Sequence, residues 1–289
     1  MAKTDLKPIN TPIYGYWTAL YNSFYSNRLY IDVGKRWNGL GLKYLLFVIA
    51  IFGISLTARV DISFNEFFKH QITEPLLQLP VIYVQNGEAS IDKPVPYLIK
   101  NSQNQVALIV DTSGTINDFS AKYPFANILI NKDKLSYRLP MPQLFNSSPV
   151  QQNSRVPIVK NFSKDVNQVF DGKKLIEEGS LTIWKVITQI MMYPILIVMM
   201  FSFFMIMFAV IGLMGQVFAR MFFSFQISYR QACRLLIVAG TPMMLLLFFF
   251  LTFDINFFGK GVLLIGVLLA YYSFAIISLK AESMRIVAP

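Results

Sequence analysis

WKVITQIMMYPILIVMMFSFFMIMFAVIGLMGQVF, residues 184–218, is a predominantly apolar run of 35 residues interrupted by Pro194. Crossing a hydrocarbon core of about 30 Å takes roughly 20 mostly apolar residues, so this stretch predicts a membrane protein. At about 1.5 Å per residue it would reach roughly 52 Å, more than one perpendicular crossing needs. The surplus predicts a helix that tilts, kinks at Pro194 or projects into water.

Outward from this run, residues 44–60 are apolar except for Ser55, Thr57 and Arg59, and residues 235–253 and 261–279 are apolar as well. The expected fold is α-helical, with four transmembrane helices at 44–60, 182–218, 235–253 and 261–279. An α+β, β-rich domain, residues 61–181, is inserted between the first two. Residues 5 to 20 hold Asp5, Lys7, Pro8, Asn10 and Pro12 rather than an apolar core, so 44–60 reads as a retained signal anchor rather than a cleaved signal.

Charge orients these segments, because Lys and Arg in short flanking stretches stay cytoplasmic. Residues 1–43 carry Lys3, Lys7, Arg28, Lys35, Arg36 and Lys43 against Asp5 and Asp32. The loop 219–234 carries Arg220, Arg230 and Arg234 with no acid, and the tail 280–289 carries Lys280 and Arg285 against Glu282. These three are expected in the cytoplasm. Residues 61–181 hold twelve bases and twelve acids, and are expected outside. The net charge of +10 is then topology charge. With no basic stripe interleaved with stacking aromatics on a soluble domain, nucleic acid is not an expected partner.

Cys233 is the only cysteine, so no intrachain disulfide forms. His70 is the only histidine and lacks partners at ligand spacing, so neither metal nor cofactor is expected; an interfacial place suits it. Within the spans the polar residues are Thr188, Gln189, Ser202, Gln216, Thr241, Tyr271, Tyr272 and Ser273, without an ionisable acid or base well inside. That argues against a proton relay or an intramembrane paired-aspartate protease. Gly212, Gly215, Gly261 and Gly266 can let helices approach closely. Thr241 and Pro242 interrupt the third span and predict a kink.

In the N-terminal segment Trp17, Leu20, Tyr21 and Phe24 recur at helical spacing. Two placements fit: an amphipathic helix in the headgroup region with Arg28, Lys35 and Arg36 reaching anionic lipid, or a helix packed on the protein's own bundle. After the first span, Phe64, Phe67, Phe68 and Ile72 predict a short separate helix stopped by Pro75 and Pro80. Residues 81–84 and 89–91 around Asn86-Gly87 predict a hairpin. Residues 97–100, 106–111, 127–130 and 135–139 read as strands, 140–157 as a proline-rich linker, and Ser163 as the cap of a helix through Asp165, Val166, Val169 and Phe170.

Leu108-Ile109-Val110-Asp111-Thr112-Ser113-Gly114 is similar to the hydrophobic-hydrophobic-Asp-Thr-Gly signature of aspartic proteases, which share a proton between two carboxylates. Ser113 interrupts the pattern and no second copy exists in the chain. A turn in which Asp111 bonds its own backbone accounts for the string as well.

Tyr21-Asn22-Ser23-Phe24-Tyr25, Val33-Gly34-Lys35-Arg36-Trp37, Asn86-Gly87-Glu88, Ile109-Val110-Asp111-Thr112 and Ser228-Tyr229-Arg230 together resemble a bacterial membrane-protein family catalogued as a domain of unknown function (number 1189). Some of its members are labelled maltodextrin-utilisation proteins. The resemblance implies a multi-pass cytoplasmic-membrane protein with an exported middle domain, and at most a connection to sugar uptake. The expected function is a non-enzymatic accessory or scaffold protein that meets the lipid bilayer and a protein partner or a second copy of itself. The alternatives are a transport component, whose ATP would be used by another chain because no G-x-x-x-x-G-K-[ST] string exists, and an envelope enzyme using Asp111.

Overall fold

The computed structural model describes residues 11–138, 156–165 and 167–287. In chain order the elements begin with α1 (Tyr16–Asn22), α2 (Asn27–Lys35), α3 (Leu42–Phe68), a π-helical turn Lys69–Thr73 and α4 (Glu74–Leu77). Eight strands follow: β1 (Ile82–Gln85), β2 (Glu88–Ile91), β3 (Tyr97–Lys100), β4 (Val106–Asp111), β5 (Ile128–Asn131), β6 (Lys134–Tyr137), β7 (Ile158–Asn161) and β8 (Gln168–Phe170). The chain closes with α5 (Gly172–Glu177), α6 (Ser180–Phe223), α7 (Tyr229–Ala239), α8 (Thr241–Thr252) and α9 (Lys260–Val287).

Among the described residues, three helical stretches are long and apolar enough to cross a membrane, Leu42–Leu77, Leu181–Phe223 and Lys260–Met284. Helix α7 and the helix after it qualify together, joined by a 45° bend, which makes up to four. The β-sheets lie in a separate compact unit, Ala58–Met191; Met1–Thr57 with Met192–Pro289 make the helical one.

Several local expectations change. The helix after the first span is no separate element: α3 continues through the π turn into α4. Pro75 does not stop it, because it sits in the first turn of α4, where its missing N–H is tolerated. Helix α6 runs unbroken through Pro194 for 44 residues. The segment 219–234 is largely helical, since α6 reaches Phe223 and α7 starts at Tyr229. The reason is a capping box: Ser228 Oγ accepts from the Gln231 amide at 3.3 Å, and Gln231 Oε1 accepts from the Ser228 amide at 2.9 Å.

In the β unit, Asn86 and Gly87 both adopt positive φ, 51° and 80°, as a two-residue type I′ hairpin requires. β1 and β2 pair across it, and β8 adds to the other side of β1 with Ile82 opposite Phe170. The helix expected from Ser163 to Phe170 is therefore a strand in its last part. Ladder pairing to β1 outweighs a helical pattern resting on few positions, and the helix that does form, α5, is capped by Asp171. The linker expected at 140–157 falls almost wholly outside the described residues.

The larger sheet has the order β3-β4-β5-β6-β7, with β4 and β5 parallel. Its two central strands, VALIVD and ILIN, are buried on both faces after their first residues, the pattern parallel strands need. On one face Leu108, Val110 and Ile130 pack with Ile99, Leu76, Leu79 and the hairpin residues Ile82, Val84 and Ala89. On the other, Ile109 and Leu129 lie under the crossover from β4 to β5, which supplies Ile116, Phe119, Tyr123 and Ala126.

Candidate functional site

Asp111 closes β4 and is fully buried. Its carboxylate accepts from the Ser113 amide at 2.9 Å, from the Ser113 hydroxyl, and from the Ile116 amide. The turn between them passes through Gly114 at φ 82°, where a Cβ would be strained. Burial pushes this carboxyl up, but the Ser113 hydroxyl and the surrounding backbone amides more than offset it and hold it below the usual carboxylate range. Next to it in the parallel ladder stands Asn131, whose amide donates to the Asn117 carbonyl at 3.3 Å. Both side chains pin the loop over the strand ends. An ionised carboxylate surrounded by fixed donors is a poor proton acceptor and a good loop anchor.

His70, in the π turn, has a different setting. The Ser102 hydroxyl lies 2.8 Å and the Glu74 carboxylate 3.0 Å from it, both at Nδ1. A hydrolytic triad uses the two ring nitrogens separately, one toward the hydroxyl and one toward the acid. Here the contacts converge on one nitrogen and tie the π turn to the β3–β4 connection. Among the described residues no group of three or more His, Cys, Asp or Glu side chains could hold a metal ion.

The helical unit carries a buried polar core of its own. Asp32, on α2, is 1% exposed and accepts from the amides of Ile13 and Tyr14, from Trp37 Nε1 at 3.2 Å and from Arg36 at 3.3 Å. Arg234, buried in α7, donates from its guanidinium to the carbonyls of Gly34 and Trp37. Gln231 Nε2 adds a bond to Gly34 at 3.1 Å. A forked cation on the Gly34 carbonyl at the end of α2 and on the Trp37 carbonyl just beyond it satisfies acceptors that a helix end leaves open. Seven residues on from Trp37 and from Arg234, Tyr44 Oη and Thr241 Oγ1 lie 3.0 Å apart, fully buried.

Thr241 and Pro242 mark the α7–α8 bend, with Pro242 in the first turn of α8. Backbone bonding continues across it: the Gly240 amide reaches Leu236 O at 2.7 Å, and Gly240 O takes the Met244 amide at 2.8 Å. A Cβ on Gly240 would lie 2.6 Å from the Phe208 ring. The bend is thus a packing device around Phe208, with Gly240's own groups spent on the helix. Gly212 and Gly215 likewise make room, for Cys233 and Tyr272; a Cβ on Gly261 or Gly266 would meet nothing within 4 Å.

Of the other residues singled out in the sequence, Trp17, Tyr21, Phe24 and Arg28 are exposed, while Lys35 pairs with Glu282 at 3.9 Å and Arg36 with Asp32. Pro194 is exposed within α6. Asp32, Tyr44 and Arg234 escaped the sequence reading. The Ser-x-x-Gln at 228–231 was the available sign that Arg234 belongs to a helix rather than a loop.

The sequence profile of the family described as "Protein of unknown function (DUF1189)" matches residues 17–276. The chain belongs to this family. The match runs from α1 to α9 and so takes in both units, yet the DUF1189 description assigns no activity. The chain is 24% identical over 158 residues to Uncharacterized protein RP489 of Rickettsia prowazekii (strain Madrid E), covering 47% of this chain. It spans about half, 54%, of that relative's length. No solved structure matches.

Proposed function

We propose that this protein is a non-enzymatic accessory or scaffold protein of the bacterial inner membrane. The bent α7–α8 pair acts as one of four spans, which leaves both termini on the same side. The spare bases Arg28, Lys43, Arg220 and Arg230, all exposed, assign that side to the cytoplasm. The charge-balanced residues 61–181 then lie outside, where they recognise a protein or envelope component.

One observation carries this reading: both buried carboxylates among the described residues, Asp32 and Asp111, are enclosed by donors of their own fold. Groups that a catalyst or an ion carrier would leave available are used here to hold loops and helix ends. Affinity purification of the tagged chain from native membranes should return a stoichiometric partner; recovery of this chain alone would overturn the scaffold reading. Topology has its own test. In a Cys233→Ala background, a cysteine at Ser120 should react with an impermeant maleimide in intact spheroplasts and one at Met284 only after lysis.

A further inference from the structure

Helix α1 and the residues flanking it carry an exposed stripe whose position along the bundle can be read from its neighbours. Ile13, Trp17, Tyr21 and Tyr25, four residues apart, are 56%, 62%, 67% and 70% exposed. The opposite face, Ala19, Leu20 and Ser23, is buried. One face thus packs on the bundle, as one of the two placements open to the sequence requires, and the aromatic face is left uncovered among the described residues.

Helix α9 supplies the ruler. Lys260 and Lys280 are 20 residues apart (280 − 260), which at about 1.5 Å per residue matches a hydrocarbon core of about 30 Å. Lys280 also donates to the Phe223 carbonyl at 2.7 Å, at the end of α6. Helix α2 runs beside this part of α9. Lys35 meets Glu282, Gly34 faces Leu279, and the Tyr30 ring stands edge-on to Phe274 at 5.6 Å. Phe24 lines a shallow hollow with Ala270, Tyr271 and Phe274. From Tyr271 to Lys280 is nine residues (280 − 271), or about 14 Å along the axis.

We infer that α1 and the turn after it are seated in the cytoplasmic leaflet, with the Ile13-Trp17-Tyr21-Tyr25 stripe against membrane lipid. The inference rests on α9 crossing the membrane as proposed above. The Trp17 end suits the headgroup side of that leaflet, since it lies beside Phe47 near the start of α3 and Trp combines an apolar ring with a polar edge and gathers where acyl chains meet headgroups, while the Phe24 end sits deeper. The stripe is continuous with the bundle, because Trp17 packs edge-on to Phe47 of α3 at 4.9 Å. The free charge is complementary as well. Lys35 and Arg36 are engaged with Glu282 and Asp32, whereas Arg28 and Lys43 are exposed with no ion pair among the described residues. Arg28, in the first turn of α2, has a long stem that lets its guanidinium snorkel toward the phosphates of that leaflet.

Spin labels on the full chain in bilayers of phosphatidylethanolamine and phosphatidylglycerol test this. In a Cys233→Ala background, Trp17→Cys, Tyr21→Cys and Tyr25→Cys are compared with Ile265→Cys on α9 and Ser120→Cys in the β unit. Ile13→Cys stands in if loss of the Trp17–Phe47 contact disturbs folding. The stripe labels are expected to collide more with oxygen than with a water-soluble nickel chelate, as at residue 265, and the ratio should reverse at residue 120. Nickel exceeding oxygen at 21 and 25 overturns the inference in favour of an aqueous helix. Exclusion of both reagents overturns it in favour of cover by a second copy or a partner protein. If residue 265 itself meets nickel, the crossing of α9 fails, and the inference with it.

Discussion

Asp111 shows how much a single residue can decide. Asp111→Ala would leave the Ser113 and Ile116 amides without their acceptor, at a cost of about 1–3 kcal/mol, seen as faster hydrogen exchange in β4 and β5. Its carboxyl is held below the usual range, so the unfolded chain takes up the proton first as pH falls. The stabilisation is present above the ordinary carboxylate range and is lost as pH drops through the depressed value. Asp111→Asn should flatten that acid dependence in melting of the full chain. In the helical unit, Arg234→Met strips donors from the Gly34 and Trp37 carbonyls and should cost at least about 2 kcal/mol. Arg234→Lys should not restore it, because an ammonium cannot reproduce the fork. The Asp111 turn was visible in the string that also resembles a protease signature. Asp32 was not, since its donors come from residues 13–14 on one side and 36–37 on the other, and only folding brings them together.

Elements with strong local rules were legible and those settled by distant partners were not. Asn86-Gly87 demands positive φ, and the hairpin follows; Gly87→Val, forced to φ 80° and crowding Lys164, should cost about 1–2 kcal/mol. The runs at 97–100 and 106–111 match β3 and β4 because apolar, β-branched sequence between turn residues has few other uses. β8 was misread because three residues, Gln168–Phe170, cannot display a period, and its strand character comes from β1. The kink at Thr241-Pro242 is readable from proline chemistry, whereas its dependence on Phe208 is not. Gly240→Ala should destabilise the helical unit by about 1–3 kcal/mol through overpacking. Phe208→Leu should recover part of that loss in detergent melting curves, by shortening the side chain a Cβ would strike.

For the whole molecule, the count of apolar stretches conveys the membrane class, and the change from helical to alternating period conveys a separate β unit. What the count obscures is that the third apolar stretch is made from two helices joined by a bend. Helix α7 has 11 residues and α8 has 12, each near half of what a crossing requires, and the first contains Arg234. During synthesis neither piece is a convincing membrane segment by itself. The guanidinium acquires its acceptors from Gly34 at the end of α2 and from Trp37 just beyond it, made some 200 residues earlier. On the four-span reading proposed above, integration of this pair is an act of assembly with the N-terminal helices rather than of hydrophobic partitioning alone. A chain lacking residues 1–43 should leave the pair poorly inserted, with the C-terminus reporting mixed orientation. Co-expression of residues 1–43 should restore a single one.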